Sequence, residues 1–410
     1  MTQAYKRVVR NKGASGIDDM LTEELKAFLN SVWVFLKVEI LEGEYQPSAV
    51  RGVSIPKPKG GKRQLGIPTV LDRLIQQAIA QHLSKLWEPE FDPNSYGFRP
   101  RRNAHQCLSQ ARSYLNEGKR YVVDIDISKF FDRVNHDILL GLLSRKIKDK
   151  RILTLIGKYL RAGIMRNGLT EVNREGTPQG SPLSPLLSNI MLNELDKELR
   201  KRGLSFVRYA DDFSIYVKSK KAANRVYKGV REYLRNRLKL QINEEKSSCV
   251  VSTKFELLGF GFYKNKKGYQ IRVSKGSIER LKTRLRYLTK RRYTVSTSTR
   301  LKRMNPLLKG WLHYFKIASC KGQLRILDQW LRSRLRMCEW KLWKRVRTRY
   351  KKLKSLGFDH KRSFSWSCTR KGAWRVAHSP ILTRSLSLQW LEKKGYQSCL
   401  SIYERIYVNV

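Results

Sequence analysis

Acidic side chains are scarce in this 410-residue sequence: 34 Asp and Glu stand against 85 Lys and Arg, an imbalance of 85 − 34 = +51. A compact chain so charged repels itself unless a polyanion lies alongside it, so nucleic acid is the expected partner. Cysteine is sparse too. The six (107, 249, 320, 338, 368 and 399) stand far apart, with no Cys-x-x-Cys pair and no clustered His, which argues against a zinc site and a disulfide framework. They read as small buried hydrophobes. No apolar run approaches the roughly 18 residues of a spanning helix, and residues 1–10 lack the apolar core of a signal peptide. The chain therefore reads as soluble and cytoplasmic, with no membrane partner. There is no Gly-x-x-x-x-Gly-Lys-Ser/Thr run, so phosphates are not held in a P-loop. Repeats and low-complexity tracts are missing as well. A hydrophobic content of 41% with 9 Trp is enough for real cores and excludes general disorder.

The charge is unevenly spread. Residues 1–270 carry 49 basic and 28 acidic side chains, residues 271–360 carry 27 and 4, and residues 361–410 carry 9 and 2. In the central stretch Ile278, Leu281, Leu285 and Leu288 recur at helical steps, as do Leu331, Leu335 and Cys338. A ratio of 27 to 4 is too lopsided for ordinary ion pairing along a helix, which points to a helical module lying against a nucleic-acid backbone. The first 270 residues mix periods, as an α+β domain should. Thr69 to Asp72 reads as a capping box for a helix with Ile75, Ile79, Leu83 and Leu86 on one face, ending near Pro89. Ser184-Pro185 opens a second, with Leu187, Met191, Leu195 and Leu199 inward until Gly203. Two short strands are expected around Gly60-Gly61.

Carboxylates fall where strands are expected. In YVVDIDISKFFD (121–132), Val123, Ile125 and Ile127 share one face and Asp124 and Asp126 the other. In FVRYADDFSIYV (206–217), apolar arms flank Ala210-Asp211-Asp212, so a hairpin puts two adjacent acids at its tip. Alone, the pair reads equally as ordinary turn residues, which Asp favours. Together with the first strand and a turn studded with Lys57, Lys62 and Arg63, it has the parts for phosphoryl transfer: acids to hold divalent metal, cations to hold a triphosphate.

Seven blocks then resemble, in order, those of reverse transcriptases: IPKPKGGKRQLGIP (55–68), SYGFRP (95–100), DIDISKFFDRVNH (124–136), GTPQGSPLSPLLSNI (176–190), YADD (209–212), INEEKS (242–247) and ELLGFGF (256–262). The sequence is most similar to bacterial group II intron-encoded reverse transcriptases, the maturases, of the short kind without an endonuclease. NPLLKGWLHYFK (305–316) and LRMCEWKLWKRVRTR (335–349) resemble their helical thumb, or X domain, and TRKGAWR (369–375) their small DNA-binding segment.

The resemblance implies an α+β right-hand polymerase: fingers and palm with an antiparallel sheet over 1–270, an α-helical thumb over 271–360, and a basic C-terminal DNA-binding segment over 361–410. It implies RNA-directed DNA polymerisation with two Mg²⁺, or Mn²⁺ in their place, on Asp126, Asp211, Asp212 and the carbonyl of Ile127. It gives Lys57 and Arg63 to the incoming dNTP, Phe131 to exclusion of a ribose 2′-hydroxyl, and Gln179-Gly180 to the nucleotide and template pocket. Lys246 falls near the leaving phosphate, and Leu258-Gly259 in the primer grip. Asp124 supports the metal site, and His136 is expected to hydrogen-bond in the core. The partners implied are template RNA, a DNA primer, intron RNA and target DNA, with assistance to splicing and retromobility. Departures are Asp19 and Ser181 where Gly is usual, and a short leader before VVRNKGASGIDDM. A repurposed relative in phage defence or DNA repair, and a mainly RNA-binding splicing cofactor, are the alternatives.

Overall fold

The computed structural model describes all residues except 57–59, 167–168, 172–174 and 408–410, and the chain forms two compact units, Met1–Phe255 and Glu256–Val410. The first unit carries strands β1 (Val50–Pro56), β2 (Lys62–Ile67), β3 (Tyr121–Ile125), β4 (Ile164–Arg166), β5 (Leu169–Glu171), β6 (Ser205–Tyr209), β7 (Asp212–Val217) and β8 (Ser248–Val251). They make two four-stranded sheets, ordered β2-β1-β4-β5 and β6-β7-β3-β8. The second sheet is antiparallel throughout, and helices cover it, which is the α+β architecture expected.

The helices start where local chemistry lets them. Thr69 accepts a hydrogen bond from the Asp72 amide at 3.1 Å and caps the helix Val70–Trp87. Ile75 and Leu83 are buried there, but Leu86 is exposed, and Trp87 takes the inward place instead. Positions 75, 79, 83 and 87 keep a four-residue step along one stripe, and residue 86 falls a quarter turn away. The helix Ser184–Lys201 buries Leu187, Met191, Leu195 and Leu199 against the second sheet, with Phe206, Phe213 and Ile215 in the same core. Ser181, in place of a glycine, has a use: its Oγ accepts from the amides of Leu183 and Ser184, both at 3.3 Å. Asp19 also fits its position. It adopts φ 52°, a left-handed conformation that Asp tolerates, and its carboxylate meets Arg51 at 2.7 Å.

The second unit opens with β9 (Glu256–Leu257), β10 (Phe260–Asn265) and β11 (Gly268–Val273), in the order β11-β10-β9. Helices Lys275–Leu288, Thr297–Phe315, Lys321–Leu342 and Val346–Ser355 follow, burying Leu281, Leu285, Leu331, Leu335 and Cys338. The C-terminal segment is not a loose tail. Asp328 accepts from the hydroxyls of Tyr396 and Ser398, each at 2.7 Å, and from the amides of Cys399 and Leu400, which fastens the last helix Cys399–Tyr407 to the helix Lys321–Leu342. Four of the six cysteines are buried, none is bridged, and Cys368 is exposed. Among the described residues no helix is long and apolar enough to cross a membrane.

One buried interaction joins the edge strand β6 of the antiparallel sheet to the helix packed against it. Arg208 of β6 and Asp196 of the helix Ser184–Lys201 form an ion pair at 2.6 Å with both side chains wholly buried. The guanidinium also donates to the Asn189 side chain at 2.8 Å and to the Ala210 carbonyl at 3.0 Å. A buried charge stripped of its partner typically costs about 3–5 kcal/mol. Arg208→Ala is therefore expected to lower stability by about that much, read as a shifted urea midpoint; a loss below about 1 kcal/mol would remove the pair from this role.

Candidate active site

The carboxylates converge because β3 lies between the two strands that carry or support the others. Asp124 is paired across the sheet with Ser214 of β7 and Ser248 of β8. The chain leaves β3 at Asp126, whose carbonyl accepts from the Asn243 amide at 2.7 Å and whose own amide donates to Ser247 Oγ at 3.1 Å. The Ser128 amide donates to the Gln241 carbonyl at 2.8 Å, and Ile127 bridges to Ile242. Asp126 and Ser128 make the bonds to this segment, so the alternation of an antiparallel ladder turns the Ile127 carbonyl the other way.

Tyr209 pairs with Asp212 at the end of the β6-β7 hairpin, and Ala210 and Asp211 form its tip. Ala210 has φ 61°, which an L-residue resists. The Arg208 guanidinium on its carbonyl holds it from within. From the other side, residues of the SYGFRP block press on it: the Tyr96 amide donates to the Arg208 carbonyl at 2.8 Å, and Asn189 Nδ2 donates to the Gly97 carbonyl at 2.9 Å. A Cβ on Gly97 would run into the backbone of Ala210, so only glycine permits this approach.

Burial and neighbouring like charge push Asp124, Asp211 and Asp212 up. Asp124 rises to about 7, first through burial and then through the charges of Asp212 and Asp126. Asp212 rises to about 6 through burial, Asp211 and Asp126, with Lys246 pulling the other way. Asp211 is raised by burial and by Asp126, and is pulled back by Arg63 and Arg208. The donors are hard carboxylate oxygens crowded by like charge, an environment that a divalent cation relieves. Their side chains are not drawn into a closed ligand set: among the described residues, no three His, Cys, Asp or Glu form a group ready to hold a metal. Lys246 forms an ion pair at the edge of the group, with Nζ 3.0 Å from Asp126 Oδ2.

A second set of residues adjoins the acids. Arg63 of β2 donates from Nε to Gln179 Oε1 at 2.8 Å, and Gln179 Nε2 donates to Asp132 Oδ1 at 3.3 Å. The Gln179 carbonyl accepts from the Gly66 amide at 2.9 Å, and Gly180, at φ 121°, lies so close to β2 that a Cβ would stand 2.9 Å from the Gly66 carbonyl oxygen. The loop at 176–180 is thus docked on β2 and on the segment that follows β3. Phe131 is half-buried, edge-on to Phe130 with ring centroids 5.3 Å apart, and its carbonyl accepts from Thr177 at 2.6 Å. His136 does hydrogen-bond in the core, to the Gly176 carbonyl at 2.7 Å.

Lys57 lies outside the described residues. Leu258 and Gly259 belong to the second unit, where they turn the chain from β9 into β10 at φ 53° and 84°, and Tyr314 donates to the Leu258 carbonyl at 3.0 Å. Sequence reasoning missed Arg208, Asp196 and Asn189. The available signal was a cation inside an otherwise apolar strand, one residue before the Tyr209 to Asp212 box.

Residues 55–262 match the reverse transcriptase (RNA-dependent DNA polymerase) family, and residues 278–357 match the maturase-specific domain of group II introns. Protein YkfC of Escherichia coli K12 is 34% identical over 310 residues, covering 66% of this chain and 81% of YkfC. The group II intron-encoded protein LtrA of Lactococcus lactis subsp. cremoris is 33% identical over 350 residues, covering 68% of this chain and 56% of LtrA. A solved telomerase from Candida albicans matches at 14% identity with a TM-score of 0.43, covering 87% of this chain and 71% of that one.

The raised carboxyls make a pH-dependent prediction. Asp124 keeps its proton in the folded chain up to about 7, whereas an unfolded Asp releases it near ~4. Between those values the folded state binds more protons, so the group's contribution to stability falls as pH rises through that window. With chelator present, Asp124→Asn is expected to melt above the wild type at about pH 8, by up to about 3 kcal/mol, and level with it at about pH 4. Equal melting at both would show that the carboxyl is not crowded.

Proposed function

Since this chain belongs to the reverse transcriptase family and continues into a group II intron maturase-specific domain, it is an RNA-directed DNA polymerase, and we propose that Asp126, Asp211 and Asp212 carry its reaction. The observation that carries this reading is that Asp126, up to 86 positions away in the chain (212 − 126), lies close enough for its charge to raise both Asp211 and Asp212. Divalent metal is general to such polymerases; here two Mg²⁺, or Mn²⁺, held by the three carboxylates and the Ile127 carbonyl would lower the pKa of a primer 3′-hydroxyl and neutralise a leaving pyrophosphate.

The chain's own residues do the rest. The primer hydroxyl attacks the α-phosphorus of a dNTP chosen by the RNA template, and pyrophosphate leaves. Arg63, with Lys57 beside it in sequence, binds the triphosphate, and Gln179 orients Arg63 through the hydrogen bond already described. Gly180 keeps the floor of the nucleotide pocket free of side chain. Phe131 fills the space that a 2′-hydroxyl would need. Lys246 holds Asp126 and lends positive charge to the departing phosphates. Leu258 and Gly259 serve as primer grip.

We assign fingers and palm to 1–270, the thumb to 271–360 and a DNA-binding segment to 361–410. The thumb's 27 cations grip template and primer through phosphates, so affinity falls steeply with salt. The maturase-specific match favours a second role, in which the same protein binds its intron RNA, assists splicing and then engages target DNA in the cytoplasm.

Asp211→Asn is expected to cut dNTP incorporation on a primed RNA template by at least about 10²-fold, the scale of losing one electrostatic element, with RNA affinity unchanged. Retained incorporation would remove the acid from the reaction. In the same assay Phe131→Ala should admit ribonucleotides; unaltered discrimination would deny it the gate. An Asp212→Asn protein that still supports splicing would show the two roles to be separable, and loss of both together would tie splicing to the polymerase site.

A further inference from the structure

Two cavities flank the segment joining helices Lys275–Leu288 and Thr297–Phe315. One, of about 580 Å³, is lined by Lys290, Arg291, Arg292, Trp330, Arg334 and Trp374. The other, of about 460 Å³, is lined by Tyr287, Tyr293, Arg292, Arg300 and Arg303, among others. Arg292 belongs to both. No carboxylate lines either.

Two of these cations are fixed in place without a carboxylate. Arg300 is 2% exposed, donates to the carbonyls of Leu288 (2.9 Å) and Tyr293, and has a buried Nε without a hydrogen-bond partner. Arg334 donates to Thr289 Oγ1 at 2.6 Å and to the Thr289 carbonyl at 3.0 Å. Backbone carbonyls spread a guanidinium's charge but do not cancel it, so both sites favour an anion.

The aromatic rings in the first cavity supply a different chemistry. Trp330 is covered by the guanidinium groups of Arg286 and Arg334, 5.8 and 5.3 Å from its ring centroid. Trp374 is 41% exposed and meets His378 in a T-shaped contact with ring centroids 4.5 Å apart, which leaves much of the indole open to solvent. Rings beside cations are what a base and its phosphate need. A duplex has no use for them, because its bases already stack on each other, and a cavity of this size takes one small-molecule-sized group.

We infer that these cavities form a site for one unpaired nucleotide of RNA or DNA, its base against Trp374 and an adjoining phosphate between Arg292 and Arg300. This rests on the nucleic-acid reading above and adds a place and a preference for single strands.

The test uses the full chain and anisotropy with a labelled oligoribonucleotide, the matching oligodeoxyribonucleotide and their blunt duplex. Trp374 and Arg292 are both exposed, so their variants should fold. Trp374→Ala is expected to weaken single-strand binding roughly tenfold, Trp374→Phe to restore most of it, and duplex affinity to stay constant. Arg292→Gln should lower the slope of log affinity against log salt by about 1 for single strands. A loss confined to the RNA or the DNA oligonucleotide supports the site and names its ligand. Single-strand affinity within twofold of wild type in Trp374→Ala, or an equal loss on duplex, overturns it. Incorporation by the wild type on a primed RNA template is measured alongside. Its failure would sink the polymerase assignment while leaving the strand-binding result to stand or fall alone.

Discussion

The geometry of the acidic centre depends on Arg208 and Asp196, a charge pair closed off from water between the edge strand β6 and the helix Ser184–Lys201. Such a pair adds little net stability, because desolvation offsets most of the attraction. What it supplies is position. One guanidinium ties a helix to a strand and holds, two residues on, the carbonyl of an alanine kept at positive φ. Asp211 and Asp212 project from a turn that an isolated hairpin would abandon. Asn189 extends the same network to Gly97, so the tip is gripped from both sides.

Much of this was legible in the residues. The alternation around Asp124 and Asp126 and the hairpin around Asp211 follow from period-two patterning, which survives into the fold because one face of the sheet is packed by helices. Helix starts at Thr69 and helix stripes at 187, 191, 195 and 199 are equally local. What stayed hidden depends on partners distant in sequence. Arg208 reads as a charge in a strand until Asp196 is seen against it, and Gly97 reads as a turn glycine until Ala210 occupies the space where its side chain would be. The pattern alone favours Leu86 inward, because a step of three is as allowed as a step of four; in the fold Trp87 is buried and Leu86 exposed. Asp19 and Ser181 counted as departures, but each side chain does locally what a glycine does through conformation or by leaving room.

Charge is organised by sign as well as by amount. Asp124 and Asp212 of the first unit are packed where burial and neighbouring acids raise them, within a chain that is otherwise heavily cationic. In the second unit the few acids serve structure: Asp328 alone takes four hydrogen bonds from the C-terminal segment. Apart from a few surface pairs such as Lys282–Glu279 and Lys321–Glu404, cations there far outnumber the carboxylates that could compensate them, which is why folding alone does not explain them.

The contact of Lys246 with Asp126 is easily broken. With 64% of the lysine side chain and 33% of the aspartate's open to solvent, it contributes only about 0–1 kcal/mol. The carboxylate can therefore swing from the lysine to another partner at little cost to the fold.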